Sequence, residues 1–338
     1  MDTTKLALSV VVPTFERKQS LERLLEALAR QTFAGRFEVI VVDDGSTDGT
    51  SEWLRAARAT RYELRVLGQE HAGPAAARNR GVAEARGELI VFLDDDVVPE
   101  PGLLSAHVAA HEAVPDSVVC GTMLPPEGWT RPVWIRWEEQ KLVAQYRAMR
   151  DGLYACTYRQ FFTGNASLAR ERFVAAGGFD VSFARAEDVD LGFRLDRLGM
   201  RFVFEPGAQT FHYPRRTFAA WQRTPYRYGQ ADVVMHREKD NPVLGWVFGE
   251  FHRRHPLSRW VARACVGSPL LFRPTRFALA SVARSSGWVG LDRLASVALS
   301  GLFNLLYWQG VSDALGGPRF LWPAVAARHP GRTRESFS

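Results

Sequence analysis

The first hundred residues alternate between two hydrophobic rhythms. Leu6–Val12, Phe37–Val42 and Leu89–Leu93 are near-continuous apolar runs rich in β-branched residues, which predicts strands covered on both faces; Glu63–Leu67 is a weaker fourth. Between them the period changes. Leu21, Leu24, Leu25 and Leu28 form a helical stripe over residues 20–30 that opens on Ser20, a second helix begins near Thr47–Asp48 and carries Trp53 and Leu54, and the alanine-rich Pro74–Arg86 has proline in its first turn. Strand and helix in strict alternation predict right-handed crossovers and a mostly parallel sheet. Ligands of such sheets bind beyond the carboxyl ends of the strands. Those ends carry Pro13–Glu16, Asp43-Asp44 and Asp94-Asp95-Asp96, so the acids converge on one rim.

From about Pro101 to Phe218 the pattern is less regular. Residues 129–150 read as helical in their second half, Phe161–Leu168 as a strand interrupted by Gly164-Asn165, Glu187–Leu198 as a helix and Arg201–Phe204 as a short strand. Beyond Pro242 the segments are amphipathic, helical and broken by Pro256, Pro269, Pro274 and Gly316-Gly317-Pro318. The expected division is residues 1–240 as a catalytic domain, with a nucleotide-binding half (1–100) and an acceptor-binding half (101–240), followed by an Arg-rich helical region over 241–338.

Composition narrows this. A chain of 338 residues with 46% hydrophobic content can bury one large core and a smaller appended unit. The net charge is +6, yet from Phe251 onward twelve arginines and no lysine face only Asp292, Asp313 and Glu335, so the basic excess sits in the tail. The tail aromatics Trp260, Phe272, Trp288, Phe303, Tyr307 and Trp308 leave two readings level: peripheral contact with an anionic membrane, or a helical domain with a solvated basic face. No nucleic-acid module is recognisable. Three well-separated cysteines (Cys120, Cys156, Cys265) suggest neither zinc nor a disulfide framework, and a cytoplasmic location is expected, with attachment at the inner face of the membrane left open. The first apolar run is too short for a signal peptide and ends in Pro13; Leu294–Trp308, at 15 residues, falls short of the roughly 20 that span a bilayer and reads as a buried or interfacial helix.

Asp94-Asp95-Asp96 has no Lys or Arg within five residues. Three such carboxylates repel one another unless neutralised. A divalent cation, Mn²⁺ or Mg²⁺, does this with one or two carboxylates while substrate phosphates complete its shell. The plainer alternative is an acidic turn and helix cap. Asp43-Asp44-Gly45-Ser46 could bind a nucleoside or be a tight turn.

The motifs Val11-Val12-Pro13-Thr14-Phe15-Glu16, Val41-Val42-Asp43-Asp44-Gly45-Ser46, Gly73-Pro74 through Gly81, and Phe92-Leu93-Asp94-Asp95-Asp96 resemble those of glycosyltransferase family 2, as do Gly177-Gly178-Phe179-Asp180 and Glu187-Asp188-Val189-Asp190-Leu191. The match runs from about residue 6 to 215. It implies the GT-A fold, an α/β (Rossmann-like) sheet flanked by helices, with an inverting enzyme that uses a nucleotide diphosphate sugar, UDP-sugars favoured. Pro13, Thr14, Glu16, Asp43 and Asp44 would line the nucleoside pocket, Arg78 would reach the nucleotide, and Asp95 the ribose. Asp96 would hold the metal with Asp94 sharing that work, Gly164-Asn165 would face the donor sugar, and His212 resembles a histidine that completes the metal site. Asp188 would be the general base, with Glu187 holding the acceptor; acids in a helix's first turn are also favoured by the dipole alone, by about 0.3–1 kcal/mol. The acceptor would be a hydroxyl of a glycan, lipid-linked sugar or small molecule. No QxxRW motif accompanies Trp221-Gln222-Arg223, so single-sugar transfer is expected. A retaining GT-A enzyme, a nucleotidyltransferase and an inactive sugar-nucleotide-binding homologue are the alternatives.

Overall fold

The computed structural model describes residues 6–327. In chain order the elements are β1 (Leu8–Thr14), α1 (Lys18–Ala29), β2 (Phe37–Asp43), α2 (Thr50–Ala56), β3 (Glu63–Gly68), α3 (Pro74–Glu84), β4 (Leu89–Leu93), β5 (Val97–Pro99), α4 (Leu103–Ala113), β6 (Ser117–Leu124) and α5 (Val133–Arg150). They continue with β7 (Asn165–Ala169), α6 (Arg170–Ala175), α7 (Glu187–Arg197), β8 (Arg201–His212), α8 (Phe218–Glu238), α9 (Val243–Arg253), α10 (Pro256–Cys265), α11 (Pro269–Trp288), α12 (Asp292–Leu315) and α13 (Pro318–Ala327).

The strands form one sheet in the order β3-β2-β1-β4-β7-β6-β8-β5. Its first four strands are parallel, as their continuous apolar runs predict. The rest departs from the expected mostly parallel sheet: β7 is antiparallel to both β4 and β6, and β5 is antiparallel to β8. The sheet is therefore mixed. Successive strand residues point to opposite faces, and both faces are covered. Val11, Ile40, Val42 and Phe92 pack with α3, α6 and α7 side chains, while Val10, Val12, Val39 and Leu93 pack with those of α1 and α4.

Helix α4 and strand β6 carry no clear period in the sequence, and β8 runs 12 residues where only four were expected. Its register with β6 jumps from Cys120↔Phe204 to Thr122↔Gln209, so the Glu205-Pro206-Gly207 stretch loops out of the ladder before pairing resumes. Proline is tolerated in a sheet at such an irregularity.

The chain divides into two compact units. The first comprises residues up to Trp129, Glu139–Phe183 and Glu187–Pro214; the second comprises Thr130–Glu138, Ala184–Ala186 and the chain from Arg215. The division thus falls near residue 214, ahead of the expected 240, because α8 groups with the later helices. Within the second unit Gly229 and Gly310 let α8 and α12 cross almost backbone to backbone: a Cβ on Gly229 would lie 2.2 Å from the Tyr307 carbonyl oxygen. Trp221 is fully buried there, edge-on to Trp137 at 5.8 Å. The apolar tract that begins at Leu294 belongs to the 24-residue α12, the one helix among the described residues long and apolar enough to cross a membrane; 56% of that window is buried inside the protein. The tail arginines Arg328, Arg332 and Arg334, and Glu335, lie outside the described residues.

Candidate active site

The rim predicted from the strand ends exists. Asp44 donates its backbone N–H to the Thr14 carbonyl (2.9 Å), and the Thr14 hydroxyl donates to Asp95 Oδ2 (2.8 Å), so the ends of β1, β2 and β4 are tied through one threonine. Glu16 accepts from the Thr47 N–H (2.7 Å) and receives a second staple from its own N–H to Ser46 Oγ (2.9 Å). His212 arrives by register: β5 pairs with β8 so that Val97 faces His212, which brings the imidazole Nε2 to 3.3 Å from Asp96 Oδ1.

The negative charge of this rim is answered from within the chain. Arg17 Nη1 donates to Asp96 Oδ2 (2.5 Å) and reaches Asp95 Oδ1 at 3.5 Å. Buried Arg78 donates to Asp94 Oδ1 (2.6 Å) through Nη2 and to Glu187 Oε1 (3.2 Å) through Nη1, while its Nε–H has no partner. One guanidinium therefore joins the end of β4 to the start of α7. Asp188 follows Glu187 there, half-buried, and accepts from the Val189 N–H (2.8 Å). Burial is the largest influence on both Asp95 and Asp96 and disfavours their charge. For Asp95 it wins over Arg17 and pushes the carboxyl up to about 7; for Asp96, His212 and Arg17 together outweigh it and hold the carboxyl well below the usual range.

Two predicted site residues are committed to the fold. The Asp44 carboxylate accepts from Gln69 Nε2 (2.7 Å), Ala72 N (2.9 Å) and Gly73 N (2.8 Å), and His71 Nδ1 lies 2.9 Å from it and 3.2 Å from the Asp44 carbonyl. It shapes the loop before α3. Asn165, 2% exposed, donates to the carbonyls of Thr122 and Ala208 (2.9 and 2.8 Å), which flank the β6–β8 irregularity. Its Oδ1 lies 2.9 Å from His107 Nε2. The expectation that Asn165 faces a donor sugar is thereby corrected: it is buried, both amide hydrogens are donated to backbone carbonyls and its oxygen meets His107. Asp43 is similarly engaged by Ser46 N and Ser51 Oγ. Gly164 is glycine for room, since a Cβ there would lie 3.0 Å from Asp94 Oδ2 and 2.5 Å from Met123 Sδ. Pro13 is the buried penultimate residue of β1.

Asn79, next to Arg78, clamps the Phe179 backbone with two bonds, Nδ2–H to the carbonyl and the N–H to Oδ1, both 2.8 Å. That fixes the Gly177-Gly178-Phe179 turn against α3.

The family profile "Glycosyl transferase family 2" matches residues 9–173, which contain β1 through β7 and every strand-end acid. Residues 9–173 carry a glycosyl transferase family 2 domain. Among curated relatives, a validoxylamine A glucosyltransferase from Streptomyces hygroscopicus subsp. limoneus is 35% identical over 220 residues, covering 57% of this chain and 48% of its own length. A pre-mycofactocin glycosyltransferase from Mycobacterium tuberculosis is 29% identical over 252 residues, covering 70% of this chain and 49% of its own. The chain thus spans about half the length of these relatives. The mannosyltransferase PcManGT from Pyrobaculum calidifontis, solved with GDP-Man and Mn²⁺, superposes with a TM-score of 0.54 at 22% identity, over 96% of this chain and 79% of its own. S. aureus TarS 1-349 with UDP-GlcNAc gives 0.53 at 19%, over 92% and 93%. These two share the fold.

Two features of the family 2 site were not foreseen. Arg17 was overlooked although it follows the first strand directly; its separation of 79 residues from Asp96 hides the pairing. Phe15, 40% exposed, packs against the His71 ring at a centroid distance of 4.2 Å, an aromatic ledge whose signal was the single exposed aromatic in the strand-end motif.

Proposed function

We propose that this chain is a single-sugar, inverting glycosyltransferase that uses a divalent metal and a nucleotide diphosphate sugar. The observation that carries the reading is the pair of hydrogen bonds from Arg78, which holds Asp94 of the acidic triplet and Glu187 of the α7 start within one guanidinium's reach. Donor-side acids and acceptor-side acids are then held by one side chain, the proximity that a direct displacement requires.

The residues divide the work. Asp188 takes the proton of the acceptor hydroxyl as it attacks the anomeric carbon on the face opposite the departing diphosphate, and Glu187 orients the acceptor. Arg17 and Arg78, charged at every working pH, pair with phosphate oxygens. Phe15 and His71 offer a flat face to the base, and Asp95 lies where a ribose hydroxyl would be met.

Among the described residues no three His, Cys, Asp or Glu side chains are grouped to hold a metal. Asp96 and His212 supply two donors 3.3 Å apart, one oxygen and one nitrogen. That set fits an Mn²⁺ or Mg²⁺ ion whose remaining positions are filled by phosphates and water, and does not fit an all-protein cage. Bound there, the ion would neutralise charge on the leaving diphosphate. Arg17 must give up Asp96 for this; its side chain is 38% exposed and free to swing toward the phosphates.

The donor's base is favoured as uridine, by analogy with the UDP-GlcNAc complex of TarS; the GDP-Man complex of PcManGT makes guanosine the rival. The test is a panel of nucleotide sugars scored for thermal stabilisation with and without Mn²⁺ or Mg²⁺, followed by NMR of the product's anomeric proton. One donor class should raise Tm only with metal, Asp96→Ala should abolish the shift, and the anomeric configuration should invert. A panel in which no donor stabilises the protein or is consumed would remove the proposal; a retained configuration would remove its stereochemistry.

A further inference from the structure

We infer that helix α11 and the turn after it are a docking surface for an anionic lipid membrane. Of the 20 residues in α11, only Ala283 and Ser286 are buried. Its exposed residues include a stripe of Leu270, Arg273, Phe277, Ser281, Arg284 and Trp288, spaced by three or four positions and therefore on one side of the helix, about 27 Å from end to end. The apolar members stand far out: Leu270 is 86%, Phe277 74% and Trp288 96% exposed. The turn into α12 adds Val289 at 71% and Leu291 at 55%, and α12 itself adds Val297 at 70%. A helix that faced only water would not hold large apolar side chains at such exposure along its whole length.

The charges point the same way. Two open cavities of about 760 and 590 Å³ border this face and share Gln222, Arg273 and Arg276. Among the described residues the guanidinium groups of Arg223, Arg273 and Arg284, which line them, make no hydrogen bond or ion pair, and Arg276 donates only to Gln222 Oε1 (3.0 Å). The one acid in these linings, Asp313, is already engaged by the Tyr226 hydroxyl and Gln309 Nε2, both at 2.8 Å. Nearby in the chain, Asp292 pairs with Arg136 (2.6 Å).

Unpaired arginines alternating with exposed apolar side chains along one helix face match the headgroup boundary of a bilayer, where phosphates meet the former and the upper acyl region takes the latter. Arginine suits this position because its methylene stem lies in the apolar layer while the guanidinium reaches outward. A nucleic acid would meet the arginines but leave Leu270, Val289 and Val297 in water. A bilayer is the occupant that satisfies both sets.

The experiment is co-sedimentation of the full chain with sucrose-loaded vesicles, neutral phosphatidylcholine against vesicles with roughly a third phosphatidylglycerol, at low and high salt. No nucleotide sugar is present, so the result stands apart from the transferase reading. Binding to the anionic vesicles that weakens with salt is expected. Arg273→Ala with Arg284→Ala should lower partitioning by about thirtyfold, since each basic residue near the surface contributes about a fivefold factor. Trp288→Ala should lower it further while leaving the salt slope unchanged. All three positions are exposed, and far-UV circular dichroism checks that the variants fold. Equal partitioning of wild type and double variant overturns the inference. So does absence from the anionic pellet combined with any of three alternatives: stabilisation by inorganic phosphate, retention of single-stranded RNA, or a dimer by light scattering that the Trp288→Ala change dissolves.

Discussion

The acidic rim and helix α11 handle charge in opposite ways. At the rim each carboxylate of the triplet has a protein partner: Asp94 has Arg78 (2.6 Å), Asp95 has Thr14 (2.8 Å), and Asp96 has Arg17 (2.5 Å) and His212 (3.3 Å). On α11 two arginines, Arg273 and Arg284, have none among the described residues. Neutralised charge in a cleft holds the cleft together, and a ligand must exchange partners with it to bind. Unneutralised charge on an exposed helix contributes little to the fold, which neither needs it nor suffers from it. The comparison separates residues whose loss the fold would feel from residues whose loss only a partner would feel.

Substitutions can break that comparison, beginning with the largest effect. Asp188→Asn should lower transfer by about 10²–10⁴-fold while metal-dependent donor stabilisation persists, because a general base is lost and binding groups are kept. Initial-rate assays beside thermal shifts decide it; full activity in the variant would end the base assignment. Next comes Glu38, a fully buried carboxylate that accepts from Ser9 Oγ (2.6 Å), Arg86 N (2.7 Å) and Arg65 Nη1 (3.3 Å). Burial disfavours its charge, but those donors outweigh it and hold the pKa below the usual range. Glu38→Ala should cost about 3 kcal/mol in urea denaturation, since removing one partner strands the others.

A polar relay gives the pH dependence. Ser117 donates to His111 Nδ1, His111 Nε2 to Ser167 Oγ, Ser167 to His107 Nδ1 and His107 Nε2 to Asn165, a proton arrangement that satisfies every distance with both rings neutral. Burial pushes both imidazoles down to about 4. The unfolded chain binds protons at these histidines below about 6.5 while the native state does not, so their contribution to stability is complete above that pH and is lost as pH falls from about 6.5 to 4. For His107 this is about 3 kcal/mol. Urea midpoints measured from pH 7.5 down to 4.5 should fall more steeply in the native protein than in His107→Gln; parallel curves would refute the neutral relay.

How much of this was legible in the sequence follows from the same contrast. Strands β1, β2 and β4 were readable because burial on both faces demands apolar runs such as Val39 to Val42, and their ends bring Asp44 and Asp95 to one rim, both bonded to Thr14. The Glu187 start of α7 was readable from its cluster of first-turn acids. Strand β8 was cut short at Phe204 because Pro206 and Gly207 are local breakers, and only pairing with β6 carries the strand past them. Asn165 looked like a ligand residue because its obligations, the carbonyls of Thr122 and Ala208, arise from a sheet irregularity with no local signature. Arg17, which neutralises part of the triplet from within, has no signature in the spacing along the chain because another strand end delivers it.

The two smallest predicted effects test the contrast directly. Arg17→Ala removes a half-exposed partner of Asp96, so the metal-free protein should lose about 1 kcal/mol or less, and Mn²⁺ should bind up to about tenfold more tightly because its competitor is gone. Isothermal titration measures this, and weaker Mn²⁺ binding would mean that Arg17 organises the ion's site instead of competing for it. On α11 the same chemistry should do nothing to the fold. Arg273→Ala and Arg284→Ala remove guanidinium groups without partners, and alanine favours the helix slightly, so urea denaturation should move by no more than about 0.5 kcal/mol. A loss well beyond that would mean these arginines are tied to the protein after all, and the division between charge used internally and charge kept for a partner would not hold.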